Sequence, residues 1–212
     1  QELEERYAAF PGLNLTYEVR EGIVKHSTHY DRFRHEELGR YRPELQPLLE
    51  AQIIDWVDGI AYNVHDIDDG VEARILSIDS LVSEIPLFRE IYMAQGDLHH
   101  NSNGRQLFNE SIRALLDLLV SDLIRASNDR IRTAGICGIE GVRSHSERLI
   151  GHSSEILSQL EVIATFLREN LYRSQEVETE MSLARRVIAE LVDAYLGNPS
   201  LLPKRHQARI PT

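Results

Sequence analysis

The sequence predicts an all-α protein. Its apolar residues recur at helical spacing almost everywhere, alternating strand-like runs are scarce, and no internal repeat or low-complexity tract points to another architecture. Thr16 is a candidate N-cap with Glu18 in the first turn after it, so a helix of about 17–26 follows the turn at Pro11-Gly12. After a polar connection through Pro43, a long helix is expected from about 45 to 68, with Gly70 as its C-cap. Shorter helices are expected near 71–78 and 84–95. The stretch "QGDLHHNSNG" reads as a loop, with His99 and His100 facing solvent. "RQLFNESIRALLDLLVSDLIRAS" reads as a buried helix, and "TAGICGIEGVRSHS" as irregular. Two last helices are expected at about 153–172 and 176–196, the second stopped by Gly197 and Pro199.

With 212 residues and 42% hydrophobic content the chain can bury a substantial core, as one large domain or two small ones. A net charge of −11 and a pI near 5.3 argue against a generally basic surface, so no duplex nucleic acid is expected as a partner. The sole cysteine, Cys137, excludes an internal disulfide framework and a multi-cysteine zinc site, and fits a reducing compartment, the cytoplasm. No apolar run approaches the roughly 18 to 20 residues of a spanning helix, so no membrane partner is expected. The opening "QELEERYAAF" lacks the basic and apolar regions of a signal peptide and lacks an initiator methionine. Together with the close, "RHQARIPT", it reads as the edge of a segment cut from a longer polypeptide.

The long helix is the informative element. Leu49, Ile53, Trp56, Ile60, Val64 and Ile67 fall on one stripe at 100° per residue, while Asp58, Tyr62 and Asp66 lie nearly opposite. Asp58 and Asp66 are two turns, or about 12 Å, apart, a span comparable to a bound nucleotide. From Glu50 to Glu72 there are seven carboxylates (50, 55, 58, 66, 68, 69, 72) and no Lys or Arg. Like charges at i,i+3 and i,i+4 each cost a few tenths of a kcal/mol in an isolated helix. A bound hard divalent cation offsets such repulsion; a plain solvated face does not. The helix cannot complete a metal site alone, and neither Glu-x-x-His nor His-Glu-x-x-His occurs. His26 and His29 could start a zinc site only with further ligands, and a polar turn is the plainer reading.

These residues resemble a known family. "FPGLNLTYEVREGIVKHSTHYD" followed by "LEAQIIDWVDGIAYNVHDIDDGVEARIL" is similar to the bacterial deoxyguanosine triphosphate triphosphohydrolases, the HD-domain dNTPases, and "MSLARRVIAELVDAYLGNPSLLP" resembles their C-terminal part. The resemblance implies an HD-domain-type helical bundle, with residues 1–100 part of the catalytic core and 101–212 the C-terminal helical region of the same enzyme. It implies hydrolysis of a deoxynucleoside triphosphate to deoxynucleoside and triphosphate, with a divalent metal, Mg²⁺ or Mn²⁺, held by one His, a tandem His-Asp and a distant Asp. By motif position Asp58 is the distant metal ligand, Tyr62 packs on the sugar and Asp66 meets its 3′-hydroxyl. Lys25 matches a lysine on the triphosphate, and His26 stands beside it as a further substrate-facing residue. The family's first His and His-Asp pair lie upstream of "PGLNLT" and are absent here; His65-Asp66 is not that pair. The implied protein is a homo-oligomer, often a hexamer, and the segment alone is expected to be inactive. The rival reading is a non-catalytic helical interaction module or a degenerate homologue whose acidic face docks a basic partner.

Overall fold

The computed structural model describes residues 7–9, 12–26, 36–100 and 102–208, and among these the protein is all-α. Helix α1 (Tyr17–Lys25) starts where expected, with the Thr16 hydroxyl accepting from the Val19 amide. A 3₁₀ turn, Glu36–Tyr41, leads to α2 (Leu49–Glu72), then α3 (Ile78–Glu84) and α4 (Pro86–Leu98). Pro86 at the start of α4 costs nothing, since that amide has no helical partner. Helix α5 (Gly104–Thr133) opens with a capping box between Asn103 and Gln106. The stretch read as irregular contains α6 (Ile139–Ser144). Helix α7 (Ser154–Leu167) passes into a π turn, Arg168–Tyr172, before α8 (Gln175–Gly197), a 3₁₀ turn (Pro199–Leu201) and α9 (Lys204–Gln207).

The core joins α2, α3, α4, α5 and α7. Ile60, Val64 and Ile67 of α2 pack with Leu81, Phe88, Phe108, Leu115, Leu119, Ile163 and Leu167, so the stretches before and after residue 100 share one interior. The apolar stripe read from α2 is thus buried over its C-terminal half, at Ile60, Val64 and Ile67. At its N-terminal end Ile53 is exposed, as are Ile54 and Val57.

Gly70 is not a C-cap. Helix α2 continues to Glu72 and is capped by Ala73, while Gly70 is buried; a Cβ there would lie 2.6 Å from Leu76 Cδ1 and 3.3 Å from Leu171 Cδ1. The glycine is required by close approach of the chain after α2 and of the π turn.

A polar clip fixes the segment 148–153 against α2 and α5. Gln52 Oε1 accepts from the amides of Leu149 (2.8 Å) and Ile150 (3.1 Å), and Trp56 Nε1 donates to the Ile150 carbonyl at 2.9 Å. Arg130 donates to the carbonyls of Gly151 and His152. Asp122, 3% exposed, accepts from His152 Nδ1 and from the Ser153 amide, each at 3.0 Å. Burial works to raise the Asp122 pKa, but the bonds from Ser153, His152 and Arg125 outweigh it and hold the carboxyl below its ordinary range. No helix among the described residues is long and apolar enough to cross a membrane.

Candidate functional site

Helix α2 places Asp58 and Tyr62 on the solvent side, Tyr62 with 61% of its surface exposed, and Asp66 half-buried one turn further on. The three residues lie along one flank, as their spacing requires. His65, next to Asp66, is exposed, and so are His99 and His100.

Four of the seven carboxylates of α2, Asp55, Asp66, Asp68 and Glu72, are met from other elements, while Glu50, Asp58 and Asp69 have no partner among the described residues. Arg148, held on the clip, pairs with Asp55, and His26 Nδ1 at the end of α1 donates to the other oxygen of the same carboxylate. Arg105 at the start of α5 lies 2.7 Å from Glu72 and 3.7 Å from Asp68. The hydroxyl of Tyr172, at the end of the π turn, donates to Asp66 Oδ2. Burial, with Asp66 adding to it, raises the Tyr172 pKa above its ordinary value, so the phenol keeps its proton at neutral pH. No group among the described residues pairs with Asp58, although Asp55 lies only three residues before it on the same helix.

Lys25 is turned away from solvent. Its Nζ lies 2.8 Å from Glu21 Oε1 and 3.4 Å from the Gln46 carbonyl, and Arg143 lies 2.8 Å from the second oxygen of Glu21. Glu21 is fully buried. Burial pushes its pKa up, yet the two cations prevail and the carboxyl sits below its ordinary value. The structure therefore brings His26 next to the acidic helix but engages Lys25 within α1. His29 lies outside the described residues. Among the described residues no three His, Cys, Asp or Glu side chains converge as a metal site would require.

Sequence reasoning missed Tyr172, Arg148 and Asp55 as partners of this face. They stand 93 to 106 residues from the groups they meet, beyond any local pattern. The one signal available for Asp55 was its place among the seven acids of the helix.

Residues 150–212 match the family model of a phosphohydrolase-associated domain. Along its whole length the chain is 38% identical to a deoxyguanosinetriphosphate triphosphohydrolase-like protein of Geobacter sulfurreducens, over 211 residues that are 100% of this chain and 54% of the relative. Along its whole length the chain is similar to part of proteins named deoxyguanosinetriphosphate triphosphohydrolase-like. A relative of that name in Azoarcus sp. is 38% identical, covering 99% of the chain and 55% of its own length. Another, in Deinococcus radiodurans, is 36% identical, covering 98% of the chain and 53% of its own length. The chain spans about half the length of these relatives and aligns with their C-terminal half. The bond from Tyr172 to Asp66 ties the stretch matched by the phosphohydrolase-associated domain to the acidic helix.

Proposed function

We propose that the full-length protein hydrolyses deoxynucleoside triphosphates to deoxynucleoside and triphosphate with a divalent metal, and that α2 forms the substrate-facing wall of its site. The observation that carries this reading is the flank of α2 on which Asp58, Tyr62 and Asp66 follow one another at one-turn intervals. Arg148, His26, Arg105 and Tyr172 reach Asp55, Asp66, Asp68 and Glu72 from distant elements, while Asp58, exposed and one turn from Asp55, is left, like Glu50 and Asp69, without a partner among the described residues.

An exposed carboxylate free of partners fits a hard divalent cation, and one carboxylate does not hold such an ion by itself. Asp58 then supplies one ligand, and the His and tandem His-Asp implied by the resemblance supply the rest from the preceding half of the polypeptide. An ion held there would supply Lewis-acid chemistry at the α-phosphate. Tyr62, one turn along, offers its exposed ring to the sugar, and Asp66 offers a carboxylate oxygen to the 3′-hydroxyl. His26 stands at the phosphate end. For Lys25 to touch the triphosphate, the phosphates must compete with Glu21, so its contribution is the smaller of the two.

The cytoplasm suits the exposed thiol of Cys137. A homo-oligomer suits α8, which buries none of its residues and keeps Met181, Ile188, Leu191 and Val192 exposed.

The test is to assay the full-length polypeptide with each dNTP and Mg²⁺ or Mn²⁺. The expected product is triphosphate rather than pyrophosphate, with none released by the 212-residue chain alone. No hydrolysis by the full-length protein with any dNTP overturns the reading and leaves the helical interaction module.

A further inference from the structure

Tyr172 touches no part of the nucleotide in the reading above, yet its position is fixed at the level of the backbone. It is the last residue of the π turn, where the helical ladder widens and a side chain is carried out of the register of α7. Its neighbour Leu171 is buried and packs where Gly70 lacks a side chain, one turn after Asp66 on α2. The two backbones therefore meet beside the pair, and the contact between the phenol and the carboxylate is held from both sides.

A carboxylate offers two oxygens. Tyr172 donates to Oδ2 of Asp66, and Oδ1 has no partner among the described residues. A donor fixed on one oxygen stops rotation of the carboxylate and leaves the other presented in one direction. The phenol is suited to this, because it keeps its proton, and so remains a donor, through and beyond neutral pH.

We propose that Tyr172 is a positioning residue: acting through Asp66, it aims the free carboxylate oxygen at the 3′-hydroxyl of a deoxynucleotide and thereby sets discrimination against nucleotides that lack it. The inference rests on the sugar-binding reading of Asp66 given above. Pre-orientation matters because a hydrogen bond to a charged acceptor loses strength when its geometry is left free.

The test uses the full-length protein, with triphosphate release from a dNTP and from its 2′,3′-dideoxy counterpart measured side by side. The readout is the ratio of the two kcat/KM values, which is independent of how much of each variant is folded. Tyr172→Phe removes one oxygen and is expected to lower the ratio about tenfold, the scale of one charge-assisted hydrogen bond, by slowing the dNTP alone. Asp66→Ala is expected to lower the ratio at least as far, and adding Tyr172→Phe to it to change nothing further. A ratio that falls in Asp66→Ala but holds in Tyr172→Phe overturns the positioning role and leaves the sugar reading intact. Equal slowing of both nucleotides by Tyr172→Phe also overturns it, as a structural role predicts. A ratio unmoved in Asp66→Ala overturns the sugar reading and the inference together.

Discussion

Arg148 reaches across 93 residues of sequence to pair with Asp55, three residues before the unpaired Asp58. The pair shows how the fold treats its most acidic helix. A basic residue carried on a distant, tightly clipped segment neutralises one position, and the next acid along is left open. Arg148→Gln removes the cation while Asp55 stays largely buried, with 16% of its side chain exposed. The expected cost is about 1 to 3 kcal/mol, the penalty of a charged group left short of a partner, read as a lower urea midpoint. An unchanged midpoint means the pair is a solvated contact of little worth.

Gly70→Ala separates two accounts of one residue. An ordinary interior glycine of a helix welcomes alanine, gaining close to 1 kcal/mol. The close approach of Leu76 and Leu171 predicts the opposite, a loss of about 1 to 3 kcal/mol from overpacking. Thermal unfolding of the variant beside the parent decides between them.

The Glu21 cluster sets an acid limit on stability. Lys25 and Arg143 hold its carboxyl pKa below the ordinary value, so its stabilising effect is complete above that ordinary value and disappears as pH falls through the lowered one. Urea midpoints measured downward from pH 6 should therefore fall less steeply in Glu21→Gln than in the parent. Glu21→Gln is itself expected to be destabilised at pH 7 by about 3 to 5 kcal/mol, because Lys25 and Arg143 remain buried without their shared partner. Equal acid sensitivity in both proteins assigns the limit to another group, with Asp122 next in line.

Much of this was legible in the sequence. Thr16 caps α1 as its local pattern predicts, and the 3.6-residue period of α2 separates Ile60, Val64 and Ile67 from Asp58 and Tyr62. Gly70 was misread because a cap and a close approach both favour glycine, and only the packing of Leu76 tells them apart. Helix α6 escaped because its six residues are too few to show a period. The partners of the acidic face escaped for a different reason: Arg148 and Tyr172 are brought there by the clip and by the π turn, which are properties of the assembled core.

The central claim is that the two ends of the acidic helix do different work, Asp58 on a metal and Asp66 on a sugar. Calorimetric titration of Mn²⁺ into full-length protein carrying Asp58→Ala or Asp66→Ala, beside the parent, tests it most directly. The account predicts that Asp58→Ala loses metal binding and turnover together. Asp66→Ala should bind Mn²⁺ as the parent does and lose about 1 to 3 kcal/mol of productive nucleotide binding. Unchanged Mn²⁺ affinity in Asp58→Ala would contradict it.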